Sequence, residues 1–289
     1  VTSDGRRLGL ALGVAAYVAW GVVPLYWKLL VAIAPLELLA HRAVWGLGVF
    51  VALTVATGQG RALVSAARSR RQLAILAGTG ALLAANWGLF IWATLTGHLL
   101  EASLGYFINP LVSVGLGVVF LRERLSRPAA IAIGLAAVGV AVMTVQVGLP
   151  WVALALAGSF GAYGLIRKII AVPALVGSTL ETALMAPVGV IYLALLAHRG
   201  DGALGHVDLA THALLAGTGV VTALPLTWFT VAARRLPLST VGMLQYLAPT
   251  GQLVTAVAIF GEPLATARLA GFAFIWGGLA LYTVALWRD

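Results

Sequence analysis

The sequence predicts an all-α integral membrane protein of ten transmembrane helices, arranged as a five-plus-five inverted repeat. Three observations lead there. Of 289 residues, 61% are hydrophobic and only 9% charged, with a mean hydropathy of +1.02, whereas a soluble domain carries roughly 25% charged residues. Apolar runs of about 20 residues, the length that crosses a bilayer, follow one another with short basic breaks. Residues of the first half also recur in the second at a nearly constant offset.

Taken in order, span 1 (8–28) follows Arg6 and Arg7 and ends at Lys28. That basic start resembles a signal peptide, but the apolar run is long and no small-residue cleavage site closes it, so it reads as a span. Span 2 (33–57) carries Glu37, His41 and Arg42, and span 3 (72–95) follows Arg70 and Arg71. Spans 4 (102–121) and 5 (128–147) flank the basic break at Arg122, Arg124 and Arg127. The uncharged stretch from Pro128 to Ile166 is too long for one helix; Gly148 and Pro150 break it, giving span 6 (151–168). Spans 7 (173–197), 8 (210–233), 9 (237–260) and 10 (268–287) complete the set.

Basic loops stay on the cytoplasmic side. With the N-terminus inside, Arg6, Arg7, Arg61, Arg68, Arg70, Arg71, Arg122, Arg124, Arg127, Arg167, Lys168, Arg234, Arg235 and Arg288 all fall on the inner side, 14 of the 18 lysines and arginines. Lys28 and Arg42 lie in or beside helices, and Arg199 and Arg268 in outer loops. The expectation is a multi-pass protein of the cytoplasmic membrane with both termini cytoplasmic.

The pentapeptide Leu76-Ala77-Gly78-Thr79-Gly80 recurs unchanged as Leu215-Ala216-Gly217-Thr218-Gly219, 139 positions on. The same offset pairs Phe90 with Phe229, Pro110 with Pro249, Glu123 with Glu262, Leu125 with Leu264 and Gly139 with Gly278; an offset of 140 pairs Gly21 with Gly161 and Lys28 with Lys168. The halves are then 1–148 and 149–289. Five spans per half is an odd number, so the second half inserts upside down relative to the first. Inverted repeats mark secondary transporters with a midplane site.

Other classes find little support. The net charge of +9 is spread in small groups between apolar runs, which argues against a nucleic-acid face. No cysteine is present and the five histidines miss zinc-ligand spacing, so no metal site and no cofactor are expected. The Gly-Thr-Gly pairs lie mid-helix, without the strand and turn a phosphate loop needs. Ser159 and Ser178 have no base at a suggestive spacing. The chain is therefore expected not to be an enzyme.

Candidate binding residues come from polarity inside apolar spans. Pro24, Pro110, Pro187, Pro225 and Pro249 each leave a backbone carbonyl without its helical donor. Around spans 3, 4, 8 and 9, Asn86, Asn109 and Gln245 supply amides, and Trp20, Trp87, Tyr106, Tyr163, Trp228 and Tyr246 supply deep aromatic groups. Tyr17 is a further deep aromatic, whereas Tyr26, Trp27, Trp151 and Trp287 read as interfacial belt residues. Ordinary helix packing is the competing account of each. Intramembrane charge is costly and tends to be functional, so Glu37, His41, Arg42 and Glu181 are candidate ion-coupling residues. The competing account is a structural ion pair locking the halves together.

The runs Asn86-Trp87, Phe90-Ile91-Trp92-Ala93, His98 to Pro110, Glu123-Arg124-Leu125, Glu37 to Arg42, Gln245-Tyr246 and Pro249-Thr250 resemble RarD-type permeases, of the EamA family in the drug/metabolite transporter superfamily. The resemblance covers nearly the whole chain. It implies ten helices in two inverted halves around a central cavity, and it says little about substrate. The expected function is alternating-access transport of a small polar or amphipathic metabolite or drug, with the lipid bilayer as partner and protons as the candidate coupling ion. A membrane enzyme acting on lipid head groups and a channel or scaffold are the alternatives. Substrate, direction, driving ion and oligomeric state are not written in one sequence.

Overall fold

The computed structural model describes residues 3–95, 99–145, 151–259 and 266–288. His98, Gly148, Pro150, Glu262 and Leu264 lie outside the described residues, as do the side chains of Arg268, Trp287 and Arg288. The described residues form helices joined by short turns, in the order α1 (Ser3–Lys28), α2 (Pro35–Ala56), α3 (Gly60–Arg68), α4 (Arg70–Leu95), α5 (Leu99–Leu121), α6 (Arg127–Thr144), α7 (Trp151–Ile169), α8 (Ala174–Arg199), α9 (Leu209–Arg235), α10 (Leu238–Gln245), α11 (Leu247–Val254) and α12 (Thr266–Arg288). Eight of them, α1, α2 and α4 to α9, contain stretches long and apolar enough to cross a membrane; α12 holds a shorter apolar stretch, Leu269–Ala285. Large side chains such as Val31, Val119, Phe120, Val188 and Leu209 stand exposed on the outside. In water such a surface would drive aggregation; against lipid tails it has no cost.

Two features depart from the span-by-span expectation. Helix α3 is a short amphipathic segment where only a loop was expected. Its Ala62, Leu63 and Ala66 pack on Ile170, Val172, Val176 and Leu180, while Arg61 and Arg68 mark its polar side. Span 9 is not one helix. Pro249 has no N–H to give the carbonyl of Gln245, so the ladder breaks at Tyr246 between α10 and α11. A π-helical turn follows at Thr255–Ile259.

Small residues set the helix pairings. Along α1 and α9, Gly9 meets Arg235 and Leu236, Gly13 meets Ala232, and Gly217 meets Tyr26, so these helices run antiparallel. Helices α2 and α8 are likewise antiparallel, with Ala40 against Gly189 and Gly46 against Thr182. Helices α5 and α7 run parallel, Gly105 facing Ala153 and Leu156 while Gly161 faces Val112 and Leu116. Helix α1 runs parallel to α10 and α11, with Gly13 on Leu244 and Gly21 on Gly251. Helix α6 packs on α12, where Gly139 meets Gly271 and Gly278 meets Ala132.

Both copies of the repeated pentapeptide fold alike. Thr79 Oγ1 lies 3.1 Å from the Leu76 carbonyl oxygen, and Thr218 donates its hydroxyl to the Leu215 carbonyl at 2.6 Å. The closing glycines then bring backbones together: Gly80 lies against Glu181 of α8, and Gly219 against Trp45 of α2.

Candidate functional site

The interior of the bundle is aromatic. Tyr17 and Trp20 of α1, Phe160 and Tyr163 of α7 and Phe229 of α9 form one cluster of edge and stacked contacts, with ring centroids 5.3 to 6.3 Å apart. Trp87 of α4 and Trp228 of α9 pack against the same apolar core, both half-buried. Of the sequence-predicted residues, Trp20, Trp87, Tyr163 and Trp228 are therefore neighbours.

Polar groups border this cluster at three places. The first is centred on Arg42 of α2. Its guanidinium lies 5.1 Å from the Trp27 ring centroid and 4.8 Å from that of Trp87. Nε donates to Thr222 Oγ1 at 3.1 Å, and Thr222 is the middle residue of α9. Tyr106 of α5, 42% exposed, lies within electrostatic reach of the same cation and packs edge-on to Phe90. Each cation–π contact contributes about 0.5–2 kcal/mol according to how far it is desolvated. No carboxylate stands within ion-pair distance of Arg42 among the described residues.

The second group lies between α1, α5 and α10. Gln245 donates Nε2 to Ser113 Oγ at 3.3 Å. Its Oε1, the Tyr17 hydroxyl and Asn109 Oδ1 are buried without a hydrogen-bond partner among the described residues. Such oxygens are costly to leave unpaired, and a solute or water with donor groups would satisfy them.

The third is a buried ionic knot. Glu181 of α8 accepts from Thr79 Oγ1 at 2.5 Å and from the Tyr163 hydroxyl at 3.3 Å, with Arg167 Nε 3.7 Å away. Arg167 donates Nη2 to the Ala174 carbonyl at 2.5 Å, and its guanidinium fills the space where Gly177 has no side chain. Arg167 belongs to the charges expected on the inner side, at the end of span 6; its side chain is fully buried, beside Glu181 and the Ala174 carbonyl, with Nε and Nη1 making no hydrogen bond among the described residues. Neither His41 nor Arg42 is the partner of Glu181. Glu37 accepts from the Ala203 N–H at 2.6 Å and lies 4.0 Å from His41 Nε2, tying α2 to the loop before α9.

Other expected residues sit in packing roles. Asn86 donates Nδ2 to the Leu156 carbonyl at 2.9 Å and to Ser159 Oγ at 2.8 Å, joining α4 to α7. The Tyr246 ring is buried among Ala132, Ala136, Met243 and Ile275, on the α6 and α12 side of the break. Trp27, expected at the interface, stacks on Arg42. Thr222 gives no signal in the sequence beyond being polar in an apolar run, and Thr79 stands out only as a member of the repeated pentapeptide.

Fold and site together define a polytopic helical membrane protein with a half-buried cation beside aromatic rings. Comparison with known proteins narrows this. Residues 7–145 match the EamA-like transporter family. An uncharacterized transporter of Pseudomonas aeruginosa is 44% identical over 292 residues, covering 100% of this chain and 97% of its own. The RarD protein of Escherichia coli (strain K12) is 42% identical over 279 residues, covering 96% and 94%. A chloramphenicol-sensitive protein RarD of Pseudomonas aeruginosa is 34% identical over 274 residues, covering 93% and 91%. A crystal structure shares the fold over 99% of both chains, with a TM-score of 0.75 at 22% identity. The chain belongs to the RarD-type proteins of the EamA family and is a membrane transporter.

Proposed function

We propose that this chain is a secondary transporter that moves a small polar or amphipathic metabolite or drug across the cytoplasmic membrane by alternating access, with both termini cytoplasmic. The observation that carries the reading is the convergence of α1, α2 and α4 with α9 on Arg42, at mid-length of α9. Those helices come from opposite sides of residue 148, and a site at the seam of two inverted halves is the arrangement of many carriers.

The helix pairings support the inverted repeat. Exchanging α1 with α7, α2 with α8, α4 with α9, α5 with α10 and α11, and α6 with α12 turns α1–α9 into α7–α4, and α1–α11 into α7–α5. It turns α2–α9 into α8–α4, and returns α2–α8, α5–α10 and α6–α12 to themselves. Every one of these pairs is in contact. A bundle so built rocks about its seam with equivalent contacts on either side. Trp20, Trp87, Tyr106, Asn109, Trp228 and Gln245 are the groups placed to meet a solute, with Asn86, Tyr163 and Tyr246 positioning the helices that carry them. Among Glu37, His41, Arg42 and Glu181, the coupling candidate is Glu181, because its partners Thr79 and Tyr163 come from different halves.

Proteoliposomes containing the purified protein, loaded with a panel of amino acids, nucleosides and amphipathic drugs, test this. The expected result is saturable counterflow of at least one solute class, and accumulation under an imposed pH gradient that Glu181→Gln abolishes while exchange at equal pH persists. A non-saturable leak identifies a channel, and headgroup release from the lipid without solute flux identifies an enzyme; either result overturns the proposal.

A further inference from the structure

Arg42, half-buried on α2, has no carboxylate within ion-pair distance among the described residues. Arg167 has Glu181 at 3.7 Å. Glu37, five residues before Arg42, is spent on the Ala203 N–H and His41. What Arg42 receives instead is one neutral hydroxyl, Thr222, and two indole rings. The two ring centroids lie 5.1 and 4.8 Å from the guanidinium carbon. The Thr222 bond occupies Nε and leaves the two terminal nitrogens without a protein partner among the described residues. A guanidinium held in that way presents a planar pair of donors, the geometry that matches a carboxylate.

From this we infer that the transported solute is an organic anion: a carboxylate that docks on the terminal nitrogens of Arg42, joined to a flat apolar body that lies on Trp87 and Tyr106. The inference rests on the transporter reading above and names the substrate class of that site. Burying a cation without a counter-charge is costly, and a resting site with that deficit gains most from an anionic ligand. A neutral solute of the same shape leaves the deficit in place, and a cationic one adds to it. The surrounding indoles and the phenol of Tyr106 favour a flat ring over a branched aliphatic chain. A phosphate head group of an anionic lipid shares the charge but not the flat apolar body, so the two sources are separable.

Three matched probes test the inference in detergent: indole-3-acetate, its neutral amide indole-3-acetamide, and the cation tryptamine. Binding is read by thermal shift, and flux in proteoliposomes by counterflow. The acetate is expected to bind at least tenfold more tightly than the amide, with tryptamine weakest. In Arg42→Gln the acetate loses that advantage and binds no better than the amide. Arg42→Lys keeps the charge but loses the planar fork, and is expected to lie between the two; it serves as the measured variant if Arg42→Gln does not fold. Equal binding of acetate and amide by the wild type overturns the inference. So does loss of acetate binding when phosphatidylglycerol is added to phosphatidylcholine nanodiscs, which assigns the cation to lipid. Counterflow of neutral probes without carboxylates sinks the substrate class and leaves the transporter reading standing. Selective acetate binding without any flux overturns the transporter reading and with it the claim that the anion is carried, leaving an anion-binding site at Arg42.

Discussion

Replacing Arg167 by methionine leaves Glu181 in the interior with no cation near it. The carboxylate is 1% exposed and its remaining donors are two hydroxyls, Thr79 at 2.5 Å and Tyr163 at 3.3 Å. Breaking a buried pair by removing one member costs about 3–5 kcal/mol, because the survivor keeps its desolvation penalty. At roughly 2–4 °C per kcal/mol for a chain of this size, Arg167→Met is expected to melt about 10 °C below the wild type. The double variant Arg167→Met/Glu181→Gln removes both charges, and the glutamine carbonyl still accepts from Thr79. It is expected to recover at least about half of the loss, the non-additivity that contact between the two side chains produces. The assay is tryptophan-fluorescence melting of purified protein in one detergent at one pH. A fall of less than about 2 °C in the single variant, or a double variant as unstable as the two single effects added together, refutes the ionic knot.

Three further outcomes follow from particular contacts. A methyl group on Gly219 would lie 2.6 Å from the Trp45 carbonyl oxygen, whereas one on Gly78 meets nothing within 4 Å; Gly219→Ala is therefore expected to cost about 1–3 kcal/mol and Gly78→Ala almost nothing, as read by parallel melts. Glu123 caps the start of α10 through the N–H groups of Leu238 at 2.5 Å and Ser239 at 2.9 Å, so Glu123→Ala is expected to speed amide exchange over residues 238–240 and to lower stability by about 1–2 kcal/mol. The native chain has no cysteine, which permits single cysteines at Ser69 and at the exposed Asp201: the second is expected to react with an impermeant reagent on intact cells and the first to react only after lysis. The opposite pattern reverses the proposed orientation.

Much of the helical layout is legible in the sequence, and the reason is solvent. A bilayer demands about 20 apolar residues per crossing, so α2, α4, α6, α7, α8 and α9 begin and end within about three residues of where hydropathy alone sets them. Where that rule is silent the reading stops. Helix α3 is too short for it, and its face becomes visible only against α8. Pro249 marked a disturbed span, but a kink and a full break cost the backbone similar bonds, and hydropathy does not separate them. Arg167 adjoins Lys168, and the pair looks like a loop because the acid that buries it is 14 positions on in another helix. The cage around Arg42 joins residues 27, 42, 87 and 222, a contact that no local spacing encodes. Residue types identified Trp87 and Arg42 as candidates; only the folded chain gives them to each other.

The interruption at Tyr246 divides one crossing between two owners. Its lower segment, α10, is seated on α5 through Gly242, which lies against Pro110 and Ser113; its upper segment, α11, is seated on α1 through Gly251 against Gly21. Helix α1 also reaches α10, where Gly13 lies on Leu244, so it crosses the joint beside Pro249 while α5 grips the segment before it; a change of angle at that joint would re-seat α11 on α1 and leave the contact of α10 with α5 in place.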